Sequence, residues 1–218
     1  MDSRPDMPRL NSFRNELFQR QVGTLLAGAW LLATAVASAE PKTQARATFA
    51  GGCFWSMEAA FDKVTGVLST TSGFAGGSER NPTYEQVASG RTGHAEAVQV
   101  VFDPAKVSYA KLLEAFWRNV DPFDAGGQFC DRGRNYRTAV FYEGEDQKQA
   151  ALLSKESLER QGRLPAPIVT EIAPLEAFYR AGAEHQDFYR RNVRHYWSYS
   201  AGCGRDQRLR QLWGKPDR

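Results

Sequence analysis

A strand that runs into a glycine pair, a cysteine and an amphipathic helix constrains this chain more than any other stretch. It spans Arg46 to Phe61, RATFAGGCFWSMEAAF. Ala47 and Phe49 read as a strand edge, Gly51-Gly52 breaks it, and Phe54, Met57 and Phe61 recur at helical spacing. Cys53 therefore falls within the first turn of a helix. Free backbone N–H groups and the positive end of the helix dipole favour an anion there, so the thiol is expected to ionise easily. The two glycines let the backbone approach a bound substrate, and Phe54 and Trp55 set an aromatic wall beside the sulfur. One reading is a nucleophilic thiolate facing an apolar pocket. The other is a buried cysteine acting as a small hydrophobe.

The first forty residues differ from the rest. Arg4, Arg9, Arg14 and Arg20 precede an uncharged run from Gln21 to Ser38, and Ala37-Ser38-Ala39 supplies small residues before Glu40. This is the layout of a secretory signal peptide over residues 1–39, with export to the periplasm or the extracellular space as the expected consequence. The run is short for a membrane span and lacks a stop-transfer flank, so no stable insertion is expected after cleavage.

About 180 residues remain, enough for one domain with its own core over 40–218. Four Arg and three acids lie in the leader, which leaves 24 basic against 22 acidic residues. That balance gives no case for nucleic acid or an anionic membrane. Cys53, Cys130 and Cys203 are widely spaced with no C-x-x-C, which argues against a structural zinc site. In an oxidising compartment two of them could pair and leave one over.

Beyond the Cys53 helix, Val67 to Phe74 reads as a strand and Tyr84 to Ala88 as a helical turn. HAEAVQVVF, 94–102, alternates as a strand that puts His94 and Glu96 on the face of Val98 and Val100. A carboxyl on that face is either paired or pushed to a raised pKa; alternatively, Glu96 stays in water at the strand end. SYAKLLEAFWRNV, 108–120, is a helix capped by Ser108. Asp121 to Arg137 is the longest irregular stretch, and it holds Cys130, Asp131 and Tyr136. TAVFY (138–142) is a strand, Glu145 to Gln161 an exposed helix and Ile168 to Ile172 a last strand, while 175–191 carries helical signals. Cys203 lies between Gly202 and Gly204 in what reads as a mobile tail, about 199–218. The alternation predicts a two-layer α/β domain with a mixed sheet. His94-x-Glu96 lacks the P-C-x-x-C partner of a zinc deaminase, and the glycine pairs match no phosphate-binding fingerprint.

Taken together, GGCFWSMEAAF, NPTYEQVASGRTGHAEAVQVVFDP and RGRNYRTAVFY closely resemble the A-type peptide methionine sulfoxide reductases through most of residues 46–200. The resemblance implies an α+β two-layer roll with a ferredoxin-like core. It implies that Cys53 is the nucleophile and that Phe54 and Trp55 hold the substrate methyl group. Glu96, Tyr84 and Tyr136 would hold and protonate the sulfoxide oxygen, and Asp131 would line the same site. The chemistry agrees: sulfur needs an attacking thiolate, and the departing oxygen needs a proton donor. Three departures stand out. Ser56 replaces a common Gly, Phe74 a common Tyr, and Cys130 lies where many members carry no cysteine.

The implied cycle releases methionine and leaves a sulfenic acid on Cys53, which a second thiol converts to a disulfide. The family's resolving cysteines lie near the C-terminus, which favours Cys203. Cys130, beside Asp131, is the alternative. An external thioredoxin-like dithiol would reset the disulfide, with no metal or prosthetic cofactor, and a monomer is expected. The rivals are a thiol peroxidase, which needs no methyl pocket, a hydrolase, which needs a histidine on Cys53, and a binding domain with an inert Cys53.

Overall fold

A computed structural model describes residues 44–161 and 165–214 of the chain. The leader read at 1–39 lies outside them. The strand–cysteine–helix segment forms as its pattern predicts. β1 (Ala45–Gly51) becomes wholly buried along its length, and α1 (Phe54–Phe61) follows after Gly52 and Cys53. Next come β2 (Val67–Ala75), the short α2 (Tyr84–Ala88) and β3 (Ala95–Phe102). Thr83 opens α2 with a reciprocal cap: its hydroxyl accepts from Gln86 N–H, and the Gln86 side chain accepts from Thr83 N–H. α3 (Tyr109–Trp117) starts on Ser108, whose hydroxyl accepts from Lys111 N–H at 3.2 Å. The long irregular stretch folds into a small hairpin, β4 (Gly127–Gln128) and β5 (Asp131–Arg132), and a 3-10 turn, Arg134–Tyr136. β6 (Thr138–Tyr142), α4 (Glu145–Arg160), β7 (Glu171–Pro174) and β8 (Phe178–Arg180) follow. The chain ends in α5 (Phe188–Arg191), α6 (Val193–Gly202) and α7 (Arg205–Trp213).

The main sheet has the order β7-β6-β1-β3-β2-β8, with β6 and β7 parallel and every other neighbour pair antiparallel. The inner four strands, with α1 and α3 as crossovers, form the doubled split βαβ unit of a ferredoxin-like core. This is the mixed two-layer arrangement that the sequence implies. Strand alternation sorts the two faces. Phe49, Val98, Val100 and Val140 pack toward the helices, whereas Ala50, Ala75, Ala95, Ala97 and Ala139 build the other face. Phe49 stacks on Phe61 of α1 at 4.8 Å and on Phe116 of α3 at 5.4 Å, so one β1 ring fastens both helices to the sheet.

Three readings change, and the tail gains secondary structure. The strand read at 168–172 is the edge strand β7 at 171–174: Ile168 and Thr170 are buried, Val169 N–H donates to Pro122 O at 2.8 Å, and pairing with β6 begins only at Glu171. The 175–191 stretch holds the edge strand β8 before any helix. Gly73 of β2 lets the Phe178 ring and the Tyr179 carbonyl lie against its bare backbone, and three residues are too few to show a strand period. Where the tail reads as mobile, α6 and α7 are helical. Trp213 Nε1 donates to Val120 O at 3.1 Å, Arg208 pairs with Asp121 at 2.6 Å, and Arg118 donates to Trp213 O at 2.9 Å. Finally, the glycine pair serves the fold. A Cβ on Gly51 would lie 2.6 Å from Met57 Sδ, and one on Gly52, at φ +81°, 2.6 Å from Gln128 Cβ.

Candidate active site

Cys53 is the N-cap residue of α1, with its carbonyl accepting from Ser56 and Met57 N–H. The next backbone N–H, that of Phe54, donates to Glu96 Oε2 at 3.0 Å. An orphan donor of the helix start is thus satisfied by a carboxyl from the neighbouring strand β3. Glu96 is 2% exposed, so of the two readings the buried one holds. Burial pushes its carboxyl up to about 8, and nearby Asp131 adds to the rise against the Phe54 N–H. At neutral pH Glu96 is chiefly a neutral acid, able to donate a proton.

The thiol departs from expectation. Burial raises its pKa first, the Glu96 and Asp131 carboxylates raise it further, and the Tyr199 hydroxyl and the Trp55 N–H draw it down. The helix start is present, but desolvation at 7% exposure and two facing acids outweigh its partial charge. Cys53 rests as a neutral thiol.

Around the sulfur the fold gathers residues from distant parts of the chain. Tyr84 from α2 and Tyr136 from the 3-10 turn both have their phenols raised by burial and then by Glu96, with Cys53 and Asp131 also acting on each; Tyr84 reaches about 12. Asp131, on β5, accepts from the Tyr199 hydroxyl, and burial raises its carboxyl. Trp55 lies flat on Phe188 with ring centres 3.8 Å apart, and Tyr199 meets it edge-on at 5.9 Å. Phe54 packs on Tyr84 and His185, at 6.3 and 5.2 Å. The result is a box of aromatic rings around the thiol, with proton donors on one side. α5 is anchored by buried Glu58 of α1, which accepts from Asp187 N–H at 3.0 Å. One helix therefore carries Trp55 and holds the segment that stacks upon it.

Of the residues singled out in the sequence, Cys53, Phe54, Trp55, Tyr84, Glu96, Asp131 and Tyr136 come together here. Cys130 and Cys203 form a disulfide with Cα atoms 4.7 Å apart, and Cys53 is the free cysteine. The expected Cys53–Cys203 link is therefore absent in this state. Cys130, Asp131 and Cys203 also make the one cluster of metal-ligand character among the described residues, but its two sulfurs are bonded to each other. His94 lies away from the thiol, accepting from Gly77 N–H and donating to the Glu79 carbonyl. None of the three histidines is a hydrogen-bond partner of Cys53, which removes the hydrolase arrangement.

Tyr199, Phe188 and His185 were missed by sequence reasoning as members of the site. The one signal for Tyr199 was its place four residues before Cys203, one helical turn away.

The family model described as peptide methionine sulfoxide reductase matches residues 45–217. The chain belongs to that family. It is 51% identical over 167 residues to the peptide methionine sulfoxide reductase MsrA of Bacillus velezensis, covering 77% of this chain and 94% of that protein. Against the Bacillus subtilis MsrA it is 51% identical over 168 residues, with coverage of 77% and 95%. Among solved structures it resembles methionine sulfoxide reductase A of Corynebacterium diphtheriae, with a TM-score of 0.64, 33% identity and coverage of 71% and 77%. Mxr1 of Saccharomyces cerevisiae in reduced form gives a TM-score of 0.65 at 29% identity, covering 71% of this chain and 88% of that one. Family membership thus agrees with a site built for one thiol, one buried acid and a small apolar group.

Proposed function

We propose that the protein reduces methionine sulfoxide, free or in proteins, to methionine, with Cys53 as nucleophile and Glu96 as the principal acid. The observation that carries this reading is a free, buried thiol beside a buried neutral carboxyl, which accepts from the N–H of the next residue, Phe54, inside an aromatic cluster. The methyl group of the sulfoxide rests on Phe54 and Trp55, with Phe188 behind Trp55. The oxygen faces Glu96, Tyr84 and Tyr136, and Asp131 lines the remaining side. Cys53 sulfur attacks the sulfoxide sulfur as Glu96 protonates the oxygen. Methionine leaves, and the oxygen ends on Cys53 as a sulfenic acid. A resolving thiol then displaces water to form a disulfide. Cys203 takes this role, and Cys130 in turn attacks the Cys53–Cys203 bond. That exchange frees Cys53 and leaves the Cys130–Cys203 disulfide, which an external thioredoxin-like dithiol reduces. Cys130 is exposed, so the last bond is open to such a partner.

A fixed box accepts one handedness. With the methyl on Trp55 and the oxygen toward Glu96, only one epimer presents its sulfur to Cys53, and the resemblance to the A-type family implies that it is the S epimer. The deciding experiment supplies each epimer of a blocked methionine sulfoxide with dithiothreitol: methionine from S alone supports the reading, and equal rates or no product overturn it. We further propose export, on the strength of the Arg-flanked apolar run and Ala37-Ser38-Ala39. A mature N-terminus at Glu40 outside the cytoplasm is the expected finding. Among the described residues no helix is long and apolar enough to cross a membrane. One chain supplies every residue of the cycle, so a monomer suffices, and sedimentation tests it.

A further inference from the structure

We propose that Arg205 is a positioning residue for the thiol exchange that forms the Cys130–Cys203 disulfide, clamping the hairpin of Cys130 against the segment of Cys203. This rests on the cycle in which Cys130 attacks the Cys53–Cys203 bond. Arg205 lies two residues after Cys203, at the start of α7, and is 6% exposed. Its Nη2 donates to the Asn119 carbonyl, just past α3, at 2.5 Å and to Met57 Sδ of α1 at 3.6 Å. α1 is the helix that Cys53 caps. The guanidinium carbon sits 4.7 Å from the centre of the Phe129 ring, and Phe129 immediately precedes Cys130. One side chain therefore touches the supports of all three sulfurs.

These contacts call for a guanidinium and not merely for a bulky residue. Among the described residues its partners are all neutral, and a buried cation without a facing anion is costly. A long apolar side chain would serve stability as well. What the cation supplies is geometry. Phe129 and Cys130 form the two-residue turn of the β4–β5 hairpin, since Gln128 pairs with Asp131 across it. Phe129 holds φ +56°, a left-handed conformation strained for a bulky side chain. Two arginines keep it there: Arg132 Nη2 donates to the Phe129 carbonyl at 2.6 Å, and the Arg205 cation lies over the ring. With the ring pinned, the Cys130 Cα stays 4.7 Å from that of Cys203. The exchange balances. Cys130, which is exposed, gives its proton to water, and its sulfur bonds to that of Cys203. The Cys53–Cys203 bond breaks, its electron pair leaves on Cys53, and Cys53 takes up a proton. One disulfide replaces another, so no oxidant enters. Without the clamp the hairpin tip is free to leave this arrangement, and the effective concentration of Cys130 at Cys203 falls.

The test equilibrates the full chain with reduced and oxidised glutathione and measures the Cys130–Cys203 disulfide by peptide mapping. Wild type is compared with Arg205→Met, Arg205→Lys, Phe129→Leu and the double variant Arg205→Met/Phe129→Leu. Methionine keeps the length of the side chain without its charge, and leucine keeps bulk at position 129 without the ring. The clamp predicts that Arg205→Met and Phe129→Leu each lower the equilibrium constant for this disulfide about tenfold, the size of a desolvated cation–π contact. The double variant should fall no further than the lower single variant. Arg205→Lys, which keeps a cation over the ring, should stay within about threefold of wild type. A residue that only stabilises the fold would lower the urea midpoints of reduced and oxidised protein alike and leave this constant unchanged. A wild-type constant in either single variant, additive losses in the double variant, or Arg205→Lys as low as Arg205→Met overturns the clamp. Should Arg205→Met not fold, Phe129→Leu decides, its constant falling if the clamp holds and staying at wild type if it does not. No sulfoxide is present, so the two readings fail separately. If no form makes methionine while this pattern holds, the sulfoxide reading alone falls.

Discussion

Replacing Glu96 by glutamine tests the central electrostatic reading through stability alone, without any substrate. The native carboxyl keeps its proton up to about pH 8, whereas in the unfolded chain it titrates at its ordinary 4.5. Between those values the native state binds more protons than the unfolded one, so this group's contribution is full below about pH 4.5 and is lost as pH rises through 8. Glutamine mimics the neutral acid, does not titrate, and still offers an oxygen to the Phe54 N–H. At about 1.4 kcal/mol per tenfold, the displacement bounds the gain from Glu96→Gln at about 5 kcal/mol above pH 8, and water entering the site reduces it. Below pH 5 the two proteins should differ by less than about 1 kcal/mol, the size of one exchanged hydrogen bond. Buried Glu58, raised by burial to about 7, titrates in both proteins and cancels in the difference. Urea unfolding followed by tryptophan fluorescence at pH 5, 7 and 9 measures it. A stability difference that stays flat across this range, or that favours wild type at pH 9, would show that Glu96 is ionised in the fold.

The same substitution should slow single-turnover methionine release by roughly 10²–10⁴-fold with binding retained, the usual worth of a positioned acid, and quenched-flow product analysis checks it. Cys53→Ser should abolish turnover, because a neutral hydroxyl is a poor nucleophile toward sulfur. Gly52→Ala should cost about 1–3 kcal/mol in thermal unfolding, since Gly52 sits at φ +81° with Gln128 Cβ where its own Cβ would go. Peptide mapping of a Cys130→Ser variant after one turnover should trap a Cys53–Cys203 disulfide; recovering free Cys203 instead would assign resolution to Cys130.

Much of the site was legible because its chemistry sits on short-range patterns. The glycine break before Cys53 and the helical spacing of Phe54, Met57 and Phe61 place the thiol at a helix start. The alternation of Glu96 with Val98 and Val100 puts a carboxyl on a core face. Ser108 announces its helix by capping. Each of these signals depends only on residues within a few positions of one another, so one sequence suffices to read them. Tyr199 and Phe188 could not be found this way, since their role depends on α5 and α6 folding back over α1 across more than a hundred residues. Nor did spacing decide which two of three cysteines pair, because pairing follows Cα proximity and Cys130 meets Cys203 only once the hairpin and α6 are in place. The ionisation state of Cys53 is the sharpest contrast. From the sequence alone the helix start argues for an acidic thiol, and that local field is present. Burial, with Glu96 and Asp131 brought in from β3 and β5, reverses its sign. A pKa is set by everything within several ångströms, and only the tertiary structure determines which groups those are.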